Sequence, residues 1–539
     1  MTQVLTREDA ARAAAERVKD LADIHMPRLD LWNYDSVCKA HAERGETKPV
    51  TSCEYQECGG DLWGAQRVGV TWLYLRKDGL LADDPGVGKW VQMIHLVCLL
   101  KQRGELPRRA LFVVATPSLG QCVEQTRRWA PGLSFEYVTG KMGKSGRVER
   151  YASAGWDLLI VGHHVARGDR KVLEQLGPFS LFFSDDVDEL LDPRNVTHRA
   201  IVSLSNLSER AVVGNATNLQ TRLEQLIAAS MACRGGTVFG TMTQASKRYI
   251  RREQVPIYVK GGVRRKVTKV TGYKNLGEFR EKLQPMYLRR RLEDLGVDVP
   301  ELLPPATEWL ELSARQQRLY DELRSGALKL RNSAGVEYNA AKAIFLSGQR
   351  ICAGLPALGE PDGPGASPKL DWLFDRLKGV WQDRKVVCYM VNRGMVEATA
   401  RRAHAAGIGW AVIWGGQTPE VRSRHTQRFM REDNCRLMIG NKSLERSHNL
   451  QAASVLVAID TQLNPARMRQ LLGRVRRAGS AHQHVQMITL LMGGTQEEGY
   501  LEILRRRAAL SDYVFDESTG AEMYGALSSF ELLELVVGR

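Results

Sequence analysis

Short apolar runs separated by amphipathic stretches recur along the chain in two blocks. In the first, from Leu62 to about Leu226, the runs Gly79–Ala82, Ala110–Ala115, Leu158–Val161, Leu181–Ser184 and Ala211–Gly214 read as strands. Helical intervals separate them, which is the alternation of a parallel α/β sheet. The Gly/Pro-rich linker Gly359–Pro368 opens the second block. There Lys385–Met390, Trp410–Trp414, Arg436–Gly440, Ser454–Ile459 and Val485–Leu490 are the predicted strands. The intervening region is basic, reads as helix-rich and ends at the turn-like Leu302–Pro305. The predicted architecture is α/β: two parallel-sheet lobes with helical insertions between them. Its divisions are an N-terminal extension (1–55), a first lobe (56–230), a basic helical insertion and bracing segment (231–345), a second lobe (346–510) and a C-terminal tail (511–539). The helical stretch Gln496–Arg507 precedes that tail.

A length of 539 residues fits several compact units at roughly 150 residues each. No apolar run approaches the roughly 18 residues of a membrane span, and the N-terminus lacks the apolar core of a secretory signal. The expected location is therefore the cytoplasm. The nine cysteines form no C-x-x-C pair, which argues against a disulfide framework. Cys38, His41, Cys53 and Cys58 lie near one another, but their spacing matches no standard zinc pattern and ordinary thiols are the better reading.

Charge changes the picture. The chain carries a net +15, and Ser246–Pro300 holds 15 Lys/Arg against 6 Asp/Glu. Tyr249, Tyr258, Tyr273 and Tyr287 are interleaved with these cations. The combination points to a nucleic-acid contact, with Arg251, Arg252, Arg264, Arg265 and Lys266 as candidates, while a solvated face is the competing reading.

Three motifs carry candidate chemistry. In Leu80–Ile94, LLADDPGVGKWVQMI, a Gly-rich turn feeds a helix N-terminus. Such a turn presents backbone N–H groups and a positive dipole end to phosphate oxygens. Asp84, Pro85, Gly86, Val87, Gly88, Lys89 and Trp90 form this candidate phosphate site, with Lys89 as a point charge for the β/γ-phosphates. Against G-x-x-x-x-G-K-[ST], Asp83 stands at the first Gly and Trp90 at the Ser/Thr. In Leu181–Leu190, LFFSDDVDEL, an apolar strand ends in acids. Asp185 suits a Mg²⁺ ligand and Asp186 a base that polarises water. In Gln470–Ser480, QLLGRVRRAGS, Arg474 and Arg477 stand three apart, as on one side of a helix, and can neutralise charge on a transferring phosphoryl group.

Taken in order, these blocks resemble the Swi/Snf-type ATPases of helicase superfamily two, over roughly Asp61 to Leu510. LWGAQRVGVTWL is similar to the adenine-reading Q motif, which gives Gln66 that role. LLADDPGVGKW resembles LADEMGLGKT, and SDDVDEL stands where the family has DEAH. Phe112–Pro131 is similar to the strand, DNA-contacting loop and helix of motif Ia, with Pro117 and Ser118 in the loop. Asn215–Leu226 stands at motif III, and MYLRRRLEDLGVDVPELLPP resembles LRRTKEDV…LPP. SHNLQAASVLVAID and NPARMRQLLGRVRRAG match motifs V and VI, with Arg474 and Arg477 at the arginine-finger positions. The resemblance implies two RecA-like lobes, ATP with Mg²⁺ at their cleft, a double-stranded DNA partner and a monomer. The compact inserts resemble a bacterial or phage member, in a bacterial or infected-cell cytoplasm.

Departures fall on the chemistry. Trp90 replaces the family's Mg²⁺-ligating Thr, Asp186 its Glu and Asp188 its His. Asn215 and Asn218 stand for Thr and Pro in motif III, and Leu444, Glu445 and Ser447 for glycine-rich motif V. Two functions remain open: an ATP-dependent DNA translocase, or a catalytically silent scaffold that binds DNA or docks on a replication or transcription complex. The direction of the Trp90 indole discriminates between them.

Overall fold

The computed structural model describes residues 62–153, 155–185, 192–214, 223–234, 236–259, 263–290, 299–331, 338–445, 449–460, 465–477, 480–500 and 529–537. Cys38, His41, Cys53, Cys58, Asp186, Asp188, Asn215, Asn218, Ser447 and the 501–507 part of the predicted Gln496–Arg507 helix lie outside them. The chain divides into two units, one running to Ile250 and including Tyr273–Val297, the other comprising Arg251–Gly272 and Asp298 onward.

The strands of the first unit's sheet are β1 (Asp78–Leu81), β2 (Ala110–Val114), β3 (Phe135–Val138), β4 (Leu158–Gly162), β5 (Leu181–Asp185) and β6 (Ala211–Gly214). After the ribbon strands β7 (Ile250–Val259) and β8 (Val263–Tyr273), β9 (Tyr287–Leu288) returns to the same sheet. The order is β3-β4-β2-β5-β6-β1-β9, every pairing parallel. β2 and β4 are buried at every position, as expected of strands covered on both faces. Helix α1 (Gly64–Arg76) precedes β1, and helix α2 (Lys89–Gln102) follows it. The apolar side of α2, including Met93, Ile94, Val97 and Leu100, packs with Phe112, Ile160 and Phe183 of the sheet in one core.

The second unit contains β10 (Glu301–Leu302), β11 (Ala306–Leu310), β12 (Val386–Tyr389), β13 (Gly409–Ile413), β14 (Cys435–Gly440), β15 (Val455–Ala458) and β16 (His484–Met492). Its order is β10-β16-β15-β12-β14-β13, with β11 also on β16, again parallel throughout. Side-chain alternation splits its core in two. Val386, Cys388, Leu437 and Val455 face one cluster, and Val387, Tyr389, Met438 and Leu456 the other. The C-terminal helix Ser529–Val537 packs Leu533 and Val536 against Ala327, Ala341 and Phe345. The fold is two RecA-like parallel-sheet lobes, as the sequence predicts.

The basic region departs from its helix-rich expectation. Short helices Met242–Tyr249 and Leu276–Leu283 flank a two-stranded ribbon, β7–β8, that carries most of the charge. The aromatic interleaving also has another cause. Tyr249 is buried in an aromatic cluster with Phe239 and Phe279, and its hydroxyl donates to Glu278 Oε1 at 3.0 Å. Tyr273 is buried and donates to Glu224 Oε2 at 2.9 Å. These two rings are core, not platforms for bases; the side chain of Tyr258 lies outside the described residues. Trp309 is exposed on β11. The six described cysteines are free and buried, and no described residues form a metal-ligating cluster. No described helix is long and apolar enough to cross a membrane.

Candidate nucleotide site and basic ribbon

The C-terminal end of β1 runs directly into the candidate phosphate loop. Gly86 and Gly88 have φ of +101° and +90°, a region glycine enters without a Cβ penalty. At Gly88 a Cβ would also lie 2.5 Å from Gln66 Nε2, so both the backbone angle and the approach of Gln66 require glycine. The loop then opens α2, whose first residues are Lys89 and Trp90. Lys89 Nζ donates to the Asp83 carbonyl at 2.7 Å. Gln66 is clamped from both ends of its amide: Nε2 donates to Val87 O at 2.9 Å, and Oε1 accepts from Trp63 N at 3.1 Å.

Trp90 leaves the loop for the core. Its ring sits edge-on to Phe112, centroids 5.4 Å apart, and 6.1 Å from Phe183, while those two phenyl rings are themselves 5.2 Å apart. The indole is 6 % exposed and its Nε1 is buried without a hydrogen-bond partner. Its bulk therefore fills space between α2 and the sheet. An indole offers no oxygen to a cation.

Asp185 ends β5 in register with Val114 of β2 and Gly214 of β6. A Cβ on Gly214 would lie 2.8 Å from Asp185 Oδ1, so this glycine makes room for the carboxylate. The site fits a phosphate chain through its positive-φ loop and helix N-terminus. It fits Mg²⁺ with one carboxylate, a cation commonly held by one or two carboxylates plus substrate phosphates and water.

Asp83, which departs from the general phosphate-loop pattern but falls on the Asp of LADEMGLGKT, is fully buried. Arg290, equally buried, approaches it just beyond β9: Nε donates to Asp83 Oδ1 at 2.9 Å, and Nη2 donates to Oδ2. Gln92 of α2 completes the group, donating from Nε2 to Asp83 Oδ2 at 3.0 Å and accepting from Arg290 Nη2 at 2.6 Å. Arg290 Nη1 donates to Ala65 O in α1. The neighbouring Arg289 pairs with Asp84 at 3.7 Å. The sequence held two hints of this group, an acid where the phosphate-loop pattern has glycine and an Arg290 that falls in the segment resembling LRRTKEDV.

In the second unit the helix carrying Arg474, Pro465–Val475, ends before Arg477. The two arginines therefore do not share a helix, contrary to the expectation from their spacing. Arg477 is instead fixed by its own contacts: Nε donates to Gly473 O at 3.0 Å and Nη1 to Asn449 Oδ1. Leu450 N on Arg474 O (2.9 Å) and Ser480 Oγ on Gln451 O (3.1 Å) zip the same two segments together. Burial, and then the charge of Arg474, push the Arg477 guanidinium down to about 9. A neighbouring anion would offset this lowering by favouring the charged guanidinium.

The DNA candidates fall into two places. Pro117 and Ser118 occupy the 3-10 turn Thr116–Ser118 after β2 in the first unit, with Ser118 half-buried. Arg251 and Arg252 are exposed on β7, and Arg264, Arg265 and Lys266 lie along β8, both strands being grouped with the second unit.

A phosphate-loop site on a RecA-like sheet, followed by a second RecA-like lobe with paired arginines, defines a helicase-type ATPase fold. The chain matches the SNF2-related domain over residues 65–353 and the helicase conserved C-terminal domain over residues 369–479, and it belongs to the SNF2-related family. It is 25% identical over 492 residues to the Bacillus subtilis (strain 168) protein YwqA, and the match covers 88% of this chain and 51% of that protein. It is 22% identical over 505 residues to the human SWI/SNF-related matrix-associated actin-dependent regulator of chromatin subfamily A member 1, covering 89% and 46%. The chain thus spans about half the length of the curated relatives it matches. The Sulfolobus solfataricus SWI2/SNF2 ATPase core in complex with dsDNA is 16% identical, with a TM-score of 0.40 over 86% of this chain and 95% of that one.

Proposed function

We propose that the chain is an ATP-dependent double-stranded DNA translocase that acts on DNA or on DNA-bound proteins. The observation that carries this reading is the placement of Trp90. Its indole packs against Phe112 and Phe183 in the core, so the substitution costs the site a hydroxyl without filling the phosphate loop with a ring. Bound ATP with Mg²⁺ supplies the phosphoryl group that passes to water. Lys89 holds the phosphates by charge, Asp185 is the cation's carboxylate, and Asp186 orients the attacking water. Gln66 keeps one N–H and one lone pair for adenine beyond its two contacts within the fold. Arg474 and Arg477 stabilise charge on the transferring group.

Arg251, Arg252, Arg264, Arg265 and Lys266, with Pro117 and Ser118, contact the DNA backbone. Such contacts carry little sequence information and weaken steeply with salt.

A silent DNA-binding or protein-docking scaffold is the second reading, favoured by the oxygen ligand that Trp90 removes. ATP hydrolysis with and without double-stranded DNA separates the two. DNA-stimulated turnover that Lys89→Ala abolishes is the expected result. No turnover, with salt-sensitive DNA binding indifferent to ATP, would leave the scaffold.

A further inference from the structure

The buried group beneath the phosphate loop is built around one side chain that arrives from far along the chain. Arg290 lies 207 residues from Asp83 and 198 from Gln92. A planar guanidinium presents five donors in a fixed fork, and this one divides them among three elements. Nε and Nη2 hold the Asp83 carboxylate at the root of the loop, Nη2 also holds Gln92 of α2, and Nη1 holds Ala65 O of α1. The backbone follows the same track: Ala82 N donates to Leu288 O at 2.7 Å and Asp84 N to Arg290 O at 3.0 Å. The chain after β9 therefore runs alongside the loop as a splint.

Space has been made for the fork. Gly69 of α1 faces it, and a Cβ there would overlap Gln92 Oε1 and both Nη atoms of Arg290. A buried ion pair is a poor device for stability, because well-packed apolar residues of similar volume often serve equally well or better. What a multiply bonded fork does supply is one fixed geometry.

We propose that Arg290 is a positioning residue for nucleotide binding: through Asp83 and Gln92 it fixes the phosphate loop relative to the start of α2, so that the loop amides stand ready before any ligand arrives. The inference rests on the nucleotide-binding reading for its purpose, but its physical content can be tested with no nucleotide present.

The experiment uses the full chain and two variants. Arg290→Lys keeps the charge and removes the fork. The double variant Asp83→Asn with Arg290→Gln removes both charges together, so that neither remains buried alone. Far-UV circular dichroism establishes which variants fold. Hydrogen exchange of the peptide spanning Asp83–Lys89 is then followed without nucleotide, and binding of ATP and of a DNA duplex is titrated at fixed salt. The expected result in the folded variants is loop exchange at least tenfold faster and ATP affinity at least tenfold weaker, with DNA affinity changed less than twofold. Wild-type loop exchange and wild-type ATP affinity in a folded double variant would overturn the proposal. Faster loop exchange in the variants, in a wild-type protein that binds no ATP, would uphold the splint and sink the nucleotide reading instead.

Discussion

Among the described residues each unit has an ion pair whose two side chains are almost wholly buried, and the two pairs are built differently. In the first, Arg290 spreads its donors over the phosphate loop, α1 and α2. In the second, Lys369, at the start of helix Pro368–Lys378, places its ammonium between both Glu497 oxygens, at 3.0 and 2.8 Å, and Ile459 O at 2.9 Å. Lysine is a point charge that needs only proximity, whereas arginine imposes direction. The Lys369 pair joins the entry of the second lobe to the turn after β16, where Met492 N also donates to Glu497 Oε2 at 2.8 Å. The Arg290 pair joins elements around the candidate phosphate loop. Similar burial thus joins core elements in one unit and, on the proposal made above, sets the geometry of a site in the other.

Single substitutions should give the largest effects and test that difference. Arg290→Met and Lys369→Met each strand a buried carboxylate, and each is expected to cost about 3–5 kcal/mol in urea denaturation. If the comparison holds, pairing Lys369→Met with Glu497→Leu recovers most of that loss, with ATP binding unchanged. If the Lys369 pair instead changes ATP affinity as strongly as the Arg290 pair, the contrast collapses.

Trp90→Thr restores a hydroxyl at the head of α2 but empties the space beside Phe112 and Phe183. A loss of about 3 kcal/mol is expected from such a large-to-small change, read in the same denaturation experiment. Wild-type stability would mean that the indole is not core.

Gly69→Ala has an effect whose sign is the test. In an open helix this change stabilises by about 0.5–1 kcal/mol. Here the Cβ meets the Arg290 fork, so a destabilisation of about 1–3 kcal/mol is expected from overpacking, together with faster exchange in the phosphate loop.

The smallest effect is one of pH. His198 is buried with Nε2 2.9 Å from Ala228 O, and burial lowers its pKa from 6.5. The unfolded chain therefore binds the proton first as pH falls. The contribution of this histidine is intact above about 6.5 and declines below it, through the lowered folded value. A urea series from pH 8 to 5 should show a shallower slope for His198→Gln.

The strands of the two sheets were legible because a buried parallel strand is a short apolar run, as in Ala110–Val114 and Val386–Tyr389. Phe135–Val138 escaped because it is an edge strand, three of whose four residues are only half-buried. Tyr287–Leu288 is too short to carry any period. The β7–β8 ribbon was masked by its Arg and Lys content, although Val263, Val267, Thr268, Val270 and Thr271 give β8 a β-branched bias that favours a strand. The loop, Lys89 and Asp185 were readable as local spacing. The Asp83–Arg290–Gln92 group was not, because its members meet only through tertiary packing. Arg477 was misassigned to the helix because i,i+3 spacing says nothing about where a helix stops.

The base of the β7–β8 ribbon has a consequence of its own. Lys274 N donates to Tyr249 O at 2.9 Å, so the chain leaves and re-enters the first lobe at a single pinned point. Each doubling of a flexible loop's length adds only about 0.6 kcal/mol of closure entropy. As far as the fold is concerned the ribbon is accordingly a cassette: an engineer can exchange it for a short turn while Tyr249 and Phe279 keep the socket in which it is mounted, at the expense of the cations proposed to contact DNA.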